Sequence, residues 1–335
     1  MERITLQETK TDDVFQDFHF DVAGGLPGFR ERAGLGFFGH ERINRLAVFS
    51  LPPEMLVFFK PHLSYLVKHA TTPDKRRYLV ADEGPRHYID LDRYGTPPFA
   101  DLPRGWREAV ARYGADTLAK HGVLPWHLER MQYRLTEAFR LGNGLQALRT
   151  AAELGHYIGD AYVPLHASSN HNGQQTGQHG IHGLWESRIP ELFADDRYDY
   201  WTGRAAYLPD CRAFFWKTVL ESAEASWVVL ATEKQLAREF PADRRYAWEL
   251  RNGKLVRQYS KAYAGAYQDR MGNMVERRMR GAIAAVAACW YTAWADAGQP
   301  PLAHLAALTF PELEMEEDRR VDSIAAAGRI MGREH

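Results

Sequence analysis

Two pairs of an imidazole and a carboxylate, each spaced four residues apart and close together in the chain, constrain this sequence more than any other feature. Residues 155–166 read GHYIGDAYVPLH. On a helix, His156 and Asp160 share one face. Pro164 stops that helix, and His166 follows at the turn, where it can bend back toward the same space. His182 and Glu186, in HGLWE, repeat the four-residue spacing. A single His/Asp pair of this kind is usually a surface hydrogen bond. Two pairs joined by a histidine after a proline point to a metal site. Imidazole nitrogen and carboxylate oxygen pre-positioned on rigid helices suit zinc.

The rest of the sequence supplies helices to carry such a site. Trp216, Leu220, Ala223, Trp227 and Leu230 recur at steps of four and three, which predicts a helix with one face of core residues. Similar patterns run through roughly 52–69, 103–120, 126–140, 143–162, 182–194 and 246–296. Alternating segments are few, and none pairs with another across a hairpin turn. The longest apolar run, 281–295, is flanked by Arg280 and Asp296 and is too short to span a membrane, so it reads as a buried helix. The expected fold is all-α, a single multi-helix domain over residues 35–335 with an N-terminal extension over 1–34. That extension has scattered charges and no apolar stretch, unlike a signal peptide. Loops are expected at 95–105, with three prolines, and at 167–181, polar and glycine-rich.

Composition narrows the chemistry. Fourteen histidines against two cysteines leave imidazole and carboxylate as the donors for any tightly held metal. Whether Cys211 and Cys289 pair stays open. A net charge of −1 gives no electrostatic case for binding duplex DNA. The Arg277, Arg278 and Arg280 cluster reads as a solvated helix face. Three further candidates lie upstream: His40 where a helix begins, Asp90 in HYID, and His127 in LPWH. Singly, each reads as a cap or a satisfied polar residue.

In order, residue type and spacing, G-x-x-G-H (36–40), HYID (87–90), PWH (125–127), H-x3-D-x5-H (156–166) and H-x3-E (182–186) resemble the zinc-dependent phospholipase C and single-strand-specific nuclease family. The resemblance covers nearly all of residues 35–335. It implies a helical fold with a trinuclear zinc cleft. Carried over residue by residue, Asp90, His127, His156 and Asp160 would bind the first zinc. His166, His182 and Glu186 would bind the second. His40 and Asp160 would bind the third. Two zinc ions sharing a carboxylate can share and acidify a water that attacks phosphorus. Asp90, with a second oxygen to spare, is then the expected catalytic residue that orients or deprotonates the water.

The function implied is hydrolysis of a phosphodiester, in a phospholipid or a single-stranded nucleic acid. One departure stands out. The family holds its third zinc partly through an N-terminal tryptophan, where this chain has Leu35 preceded by 34 residues. Either residues 1–34 do not belong to the native protein, the favoured expectation, or the third site is altered. The alternative function is a non-catalytic, zinc-stabilised helical binding protein with an incomplete third site. The resemblance implies a secreted or periplasmic protein, and a cytoplasmic one if residues 1–34 are native.

Overall fold

A computed structural model describes residues 37–251, 253–310 and 312–327. The expected extension over 1–34, and Leu35 with it, lie outside the described residues. The described residues cluster as one compact unit, mostly helical, with a single two-stranded sheet among them. Five helices make the frame: α1 (Phe37–Val48), α2 (Leu124–Arg140), α3 (Gly144–Tyr162), α4 (Cys211–Glu239) and α5 (Met274–Asp296). Their starts follow ordinary capping chemistry. Pro125 sits in the first turn of α2. Asn143 accepts from the Gln146 amide at the start of α3, and Asp210 from the Ala213 amide at the start of α4.

Helix α5 packs against α1, α2 and α3 and is buried along most of its length, as the run over 281–295 predicts. Its Trp290 is fully buried and donates from its indole to the Ala151 carbonyl at 3.0 Å. Helix α1 lies close on α3 because α3 presents glycine there. A Cβ at Gly155 would meet Asn44 Oδ1 at 1.9 Å, and one at Gly159 would meet His40 Nδ1 at 2.8 Å. Buried Asn44 ties the contact by donating to the Leu66 and Ala152 carbonyls.

A second apolar cluster gathers Leu165, Ile181, Trp185, Ile189, Tyr259, Tyr263 and Tyr267. The polypeptide between the two clusters, from the end of α3 to Glu186, carries most of the candidate ligands.

Several expected elements differ in detail. The pattern over 52–69 is two short helices, Pro53–Phe59 and Leu63–His69. That over 103–120 divides into Trp106–Tyr113 and Ala115–His121, because Gly114 takes a left-handed φ of 79°. The helix expected at 182–194 runs from Ile181 to Arg197, with a π turn at Leu184–Arg188. The expectation of continuous helix over 246–296 is wrong at its start. Strands β1 (Tyr246–Arg251) and β2 (Lys254–Tyr259) form an antiparallel hairpin, with Leu250 opposite Leu255 and Trp248 opposite Arg257. Asn252-Gly253 between them is a hairpin turn signal, and Gly253 has a φ of 75°.

Trp227, expected in the core, is 66% exposed. Arg278, expected in solvent, lies across the Tyr162 ring and donates to the Tyr162 carbonyl. Cys211 and Cys289 are free thiols. No helix among the described residues is long and apolar enough to cross a membrane.

Candidate metal centre

Eight candidate donors come from six segments of the chain. His40 is on the first turn of α1. Asp74 is on the short helix Thr72–Arg76, and His87 closes the 3-10 turn Gly84–His87. His156 and Asp160 share one face of α3. Pro164 turns the chain as expected, so that His166 points back beside them. His182 and Glu186 then arrive on the helical segment that contains the π turn, a local geometry that recurs at functional sites.

These side chains form interlocking groups whose donor atoms lie within 4.8 Å of one another: His87/His156/Asp160, His40/Asp74/His156, His40/Asp160/Glu186 and His166/His182/Glu186. Asp160 reaches two ways, with Oδ2 2.9 Å from His87 Nδ1 and Oδ1 3.4 Å from His40 Nε2. Glu186 does the same, with Oε2 2.6 Å from His182 Nε2 and Oε1 3.6 Å from His40 Nε2. Thus His40 sits between two bridging carboxylates.

The arrangement fits metal ions better than a plain hydrogen-bond network. Imidazole nitrogens face one another, His156 Nε2 to His87 Nδ1 at 3.0 Å and His166 Nε2 to His182 Nε2 at 3.2 Å. Their outer nitrogens are fixed from behind. Nδ1 of His156 donates to the Ala70 carbonyl at 2.8 Å, Nδ1 of His166 to the His87 carbonyl, and Nδ1 of His182 to the His171 carbonyl at 3.2 Å. Such contacts set the tautomer and turn the inner nitrogen, with its lone pair, toward the other donors. The 167–181 loop therefore helps to aim His182. Asp92 in turn anchors that loop by accepting from the Ser169 amide and hydroxyl.

His87 is held differently. Its Nε2 lies 3.7 Å from Glu83, a fully buried carboxylate bound by Arg76, Arg86 and the Tyr157 hydroxyl.

Without a cation, this crowd of buried carboxylates is balanced by protons. Burial disfavours the charged form of His40, but Asp160 and Glu186 outweigh it and raise its pKa to about 10. Against the same burial, Asp160 with Glu83 raises His87, and Asp160 with Glu186 raises His166. Burial, reinforced by the neighbouring His40, lowers His156. Burial opposes ionisation of Asp160 and Glu186, yet the surrounding histidines hold both well below the usual carboxylate range.

Of the residues expected to bind metal, His40, His156, Asp160, His166, His182 and Glu186 come together in these groups. Asp90 and His127 do not. The backbone after His87 is extended rather than helical, so three residues on from an inward-facing His87 the Asp90 carboxylate faces His121, at 3.5 Å. Asp90, the expected catalytic residue, therefore lies outside the candidate metal groups. His127 lies on α2, against the Tyr157 ring, and its Nδ1 is 2.8 Å from Arg130. Tyr157, one residue past His156, packs its ring on His127 and also on His87, at 5.3 Å between ring centroids. Burial, with Arg130 and Arg86 adding to it, lowers the His127 pKa to about 2.

Their places are taken by Asp74 and His87, which sequence reasoning passed over. His87 stood inside the HYID motif itself. Asp74 opened a charged run, DKRR, and carried no local signal.

No family model matches this chain, and no curated protein matches it with significance.

Proposed function

We propose that the chain is a zinc-dependent hydrolase of phosphate esters, most naturally diesters, of the type its motifs resemble. The observation that supports this is the convergence of His40, His87, His156, His166 and His182 with Asp74, Asp160 and Glu186, in groups that share their carboxylates. Zinc bound there would supply a Lewis acid for a phosphoryl oxygen and lower the pKa of water.

The protein's own part is positioning. His87 and His156, with Asp74 and Asp160, would hold the first zinc. His166, His182 and Glu186 would hold the second. His40, between Asp160 and Glu186, would hold the third. Asp160 and Glu186 each direct their two oxygens to different histidines, so each would be shared between neighbouring groups when metal is bound. Asp74 stands farther off, 3.7 Å from His87 and 3.9 Å from His156, and its side chain is the most accessible of the three carboxylates. It is placed to take a proton from an attacking water, the part first expected of Asp90. Tyr162, Val163, Trp185 and Met279 make an apolar wall beside His40 and Glu186. That wall limits water around the reacting groups and strengthens electrostatic interactions there.

The test is zinc content measured together with hydrolysis of a nitrophenyl diester, single-stranded DNA and RNA, and phosphatidylcholine. The full chain should be compared with Leu35→Trp and with a chain starting at Gly36. Chelator-sensitive hydrolysis with at least about two zinc ions per chain is expected. Zinc without chelator-sensitive hydrolysis would instead support the zinc-stabilised binding protein. No zinc would contradict both.

A further inference from the structure

The hairpin β1–β2 leaves apolar surface uncovered in a pattern that its base does not show. At the base, Tyr246 and Tyr259 pack with Tyr263 in the second apolar cluster. On the same face farther out, Trp248 is 64% exposed, Leu250 73% and Leu255 63%. Leu250 and Leu255 stand directly opposite each other, next to the turn. An exposed cross-strand leucine pair capped by a tryptophan gains nothing from water.

The sequence of the hairpin and its flanks is one-sided in charge. Residues 244–261 contain Arg244, Arg245, Arg251, Lys254, Arg257 and Lys261 but only Glu249 as an acid, in a chain of net charge −1. Glu249 is already paired with Arg188. The hairpin is also fixed in place. Arg188, two residues past the ligand Glu186, donates to the Tyr259 carbonyl at 3.2 Å, and the Tyr259 hydroxyl donates to the His179 carbonyl.

We propose that the hairpin tip docks the protein on a membrane surface rich in anionic phospholipid. Trp248, Leu250 and Leu255 enter the boundary between headgroups and hydrocarbon, and the basic residues meet the lipid phosphates. Two other occupants suit the tip less well. A single strand of nucleic acid stacks its bases on flat aromatic faces, whereas the two outermost apolar residues are leucines. A second copy of the chain needs about 800 Å² from each partner for a stable interface, more than three side chains offer. The inference is independent of the hydrolase proposal, since docking needs no metal.

Sedimentation of the full chain with lipid vesicles in the presence of chelator reads docking alone. Binding to phosphatidylcholine vesicles containing phosphatidylglycerol should exceed binding to phosphatidylcholine alone by about tenfold or more, and should weaken as salt is raised. Leu250→Ser with Leu255→Ser should lower vesicle binding by about tenfold or more. Because both sites are exposed, the melting temperature and the rate on a soluble nitrophenyl diester should stay unchanged. Lys254→Glu should reduce mainly the preference for anionic vesicles. The proposal is overturned if the full chain does not sediment with anionic vesicles, or if the double variant sediments equally well. It is also overturned if the double variant instead loses single-strand retention or changes oligomeric state while vesicle binding persists.

Discussion

His166, His182 and Glu186 lie within one short stretch of chain, whereas Asp74, His87, His156 and Asp160 come from three separate segments. Both ends of the centre present converging imidazole nitrogens, yet they are supported differently. His166 and His182, like His156 at the other end, are aimed by backbone carbonyls. His87 is backed by Glu83, a buried side chain that itself depends on Arg76, Arg86 and Tyr157. A carbonyl cannot be removed by substitution, but a carboxylate can. Outside its own donors the compact end leans on Asp92, through the loop it anchors, whereas at the assembled end His87 is backed directly by the side chain of Glu83.

The sharpest way to break this contrast is at Asp160, which serves His40, His87 and His156 together. Asp160→Ala should abolish metal retention at the assembled end and at His40, with activity falling by at least about a hundredfold. Retained metal content and activity would show that the carboxylate is not shared. Next come the ends taken separately. His166→Ala should empty the His166/His182/Glu186 group and remove most activity, while His87→Ala should empty the other end. Each should leave the opposite end loaded, as zinc counting on both variants would show. Asp90→Ala and His127→Ala should leave zinc content unchanged. His127→Ala should cost about 1–2 kcal/mol of stability through lost packing on Tyr157, measured by denaturant unfolding.

A smaller effect is expected at Glu83. Glu83→Gln keeps the volume but weakens the support behind His87, and should lower zinc affinity at the assembled end by about tenfold, read by chelator competition. Equal affinities would mean that His87 needs no such partner. Last, Gly159→Ala would put a methyl group against His40 Nδ1. It should loosen the ion between Asp160 and Glu186 while sparing the zinc at His166/His182, again visible in zinc content.

The same contrast explains what could be read from sequence. The compact end is set by helix period and one proline, both of which are local, so its donors are legible as spacing alone. The assembled end depends on how the short helices between 53 and 93 fold back on α3, and no periodicity encodes that. HYID offers a histidine and an aspartate three residues apart. Only the extended backbone after His87 decides that the histidine faces α3 and the aspartate does not. His127 had the right residue type and a good helix start, but it lies one side chain round from the site, behind Tyr157. The hairpin shows a different limit. Its Asn-Gly turn is a plain signal, but the helical patterns on either side of it concealed strands of six residues each.

Anomalous diffraction at the zinc edge, from crystals of the full chain grown with zinc, tests the centre most directly. Density peaks should lie among Asp74, His87, His156 and Asp160, and among His166, His182 and Glu186. A peak between Asp90 and His127, or no peak at either end, would contradict the account.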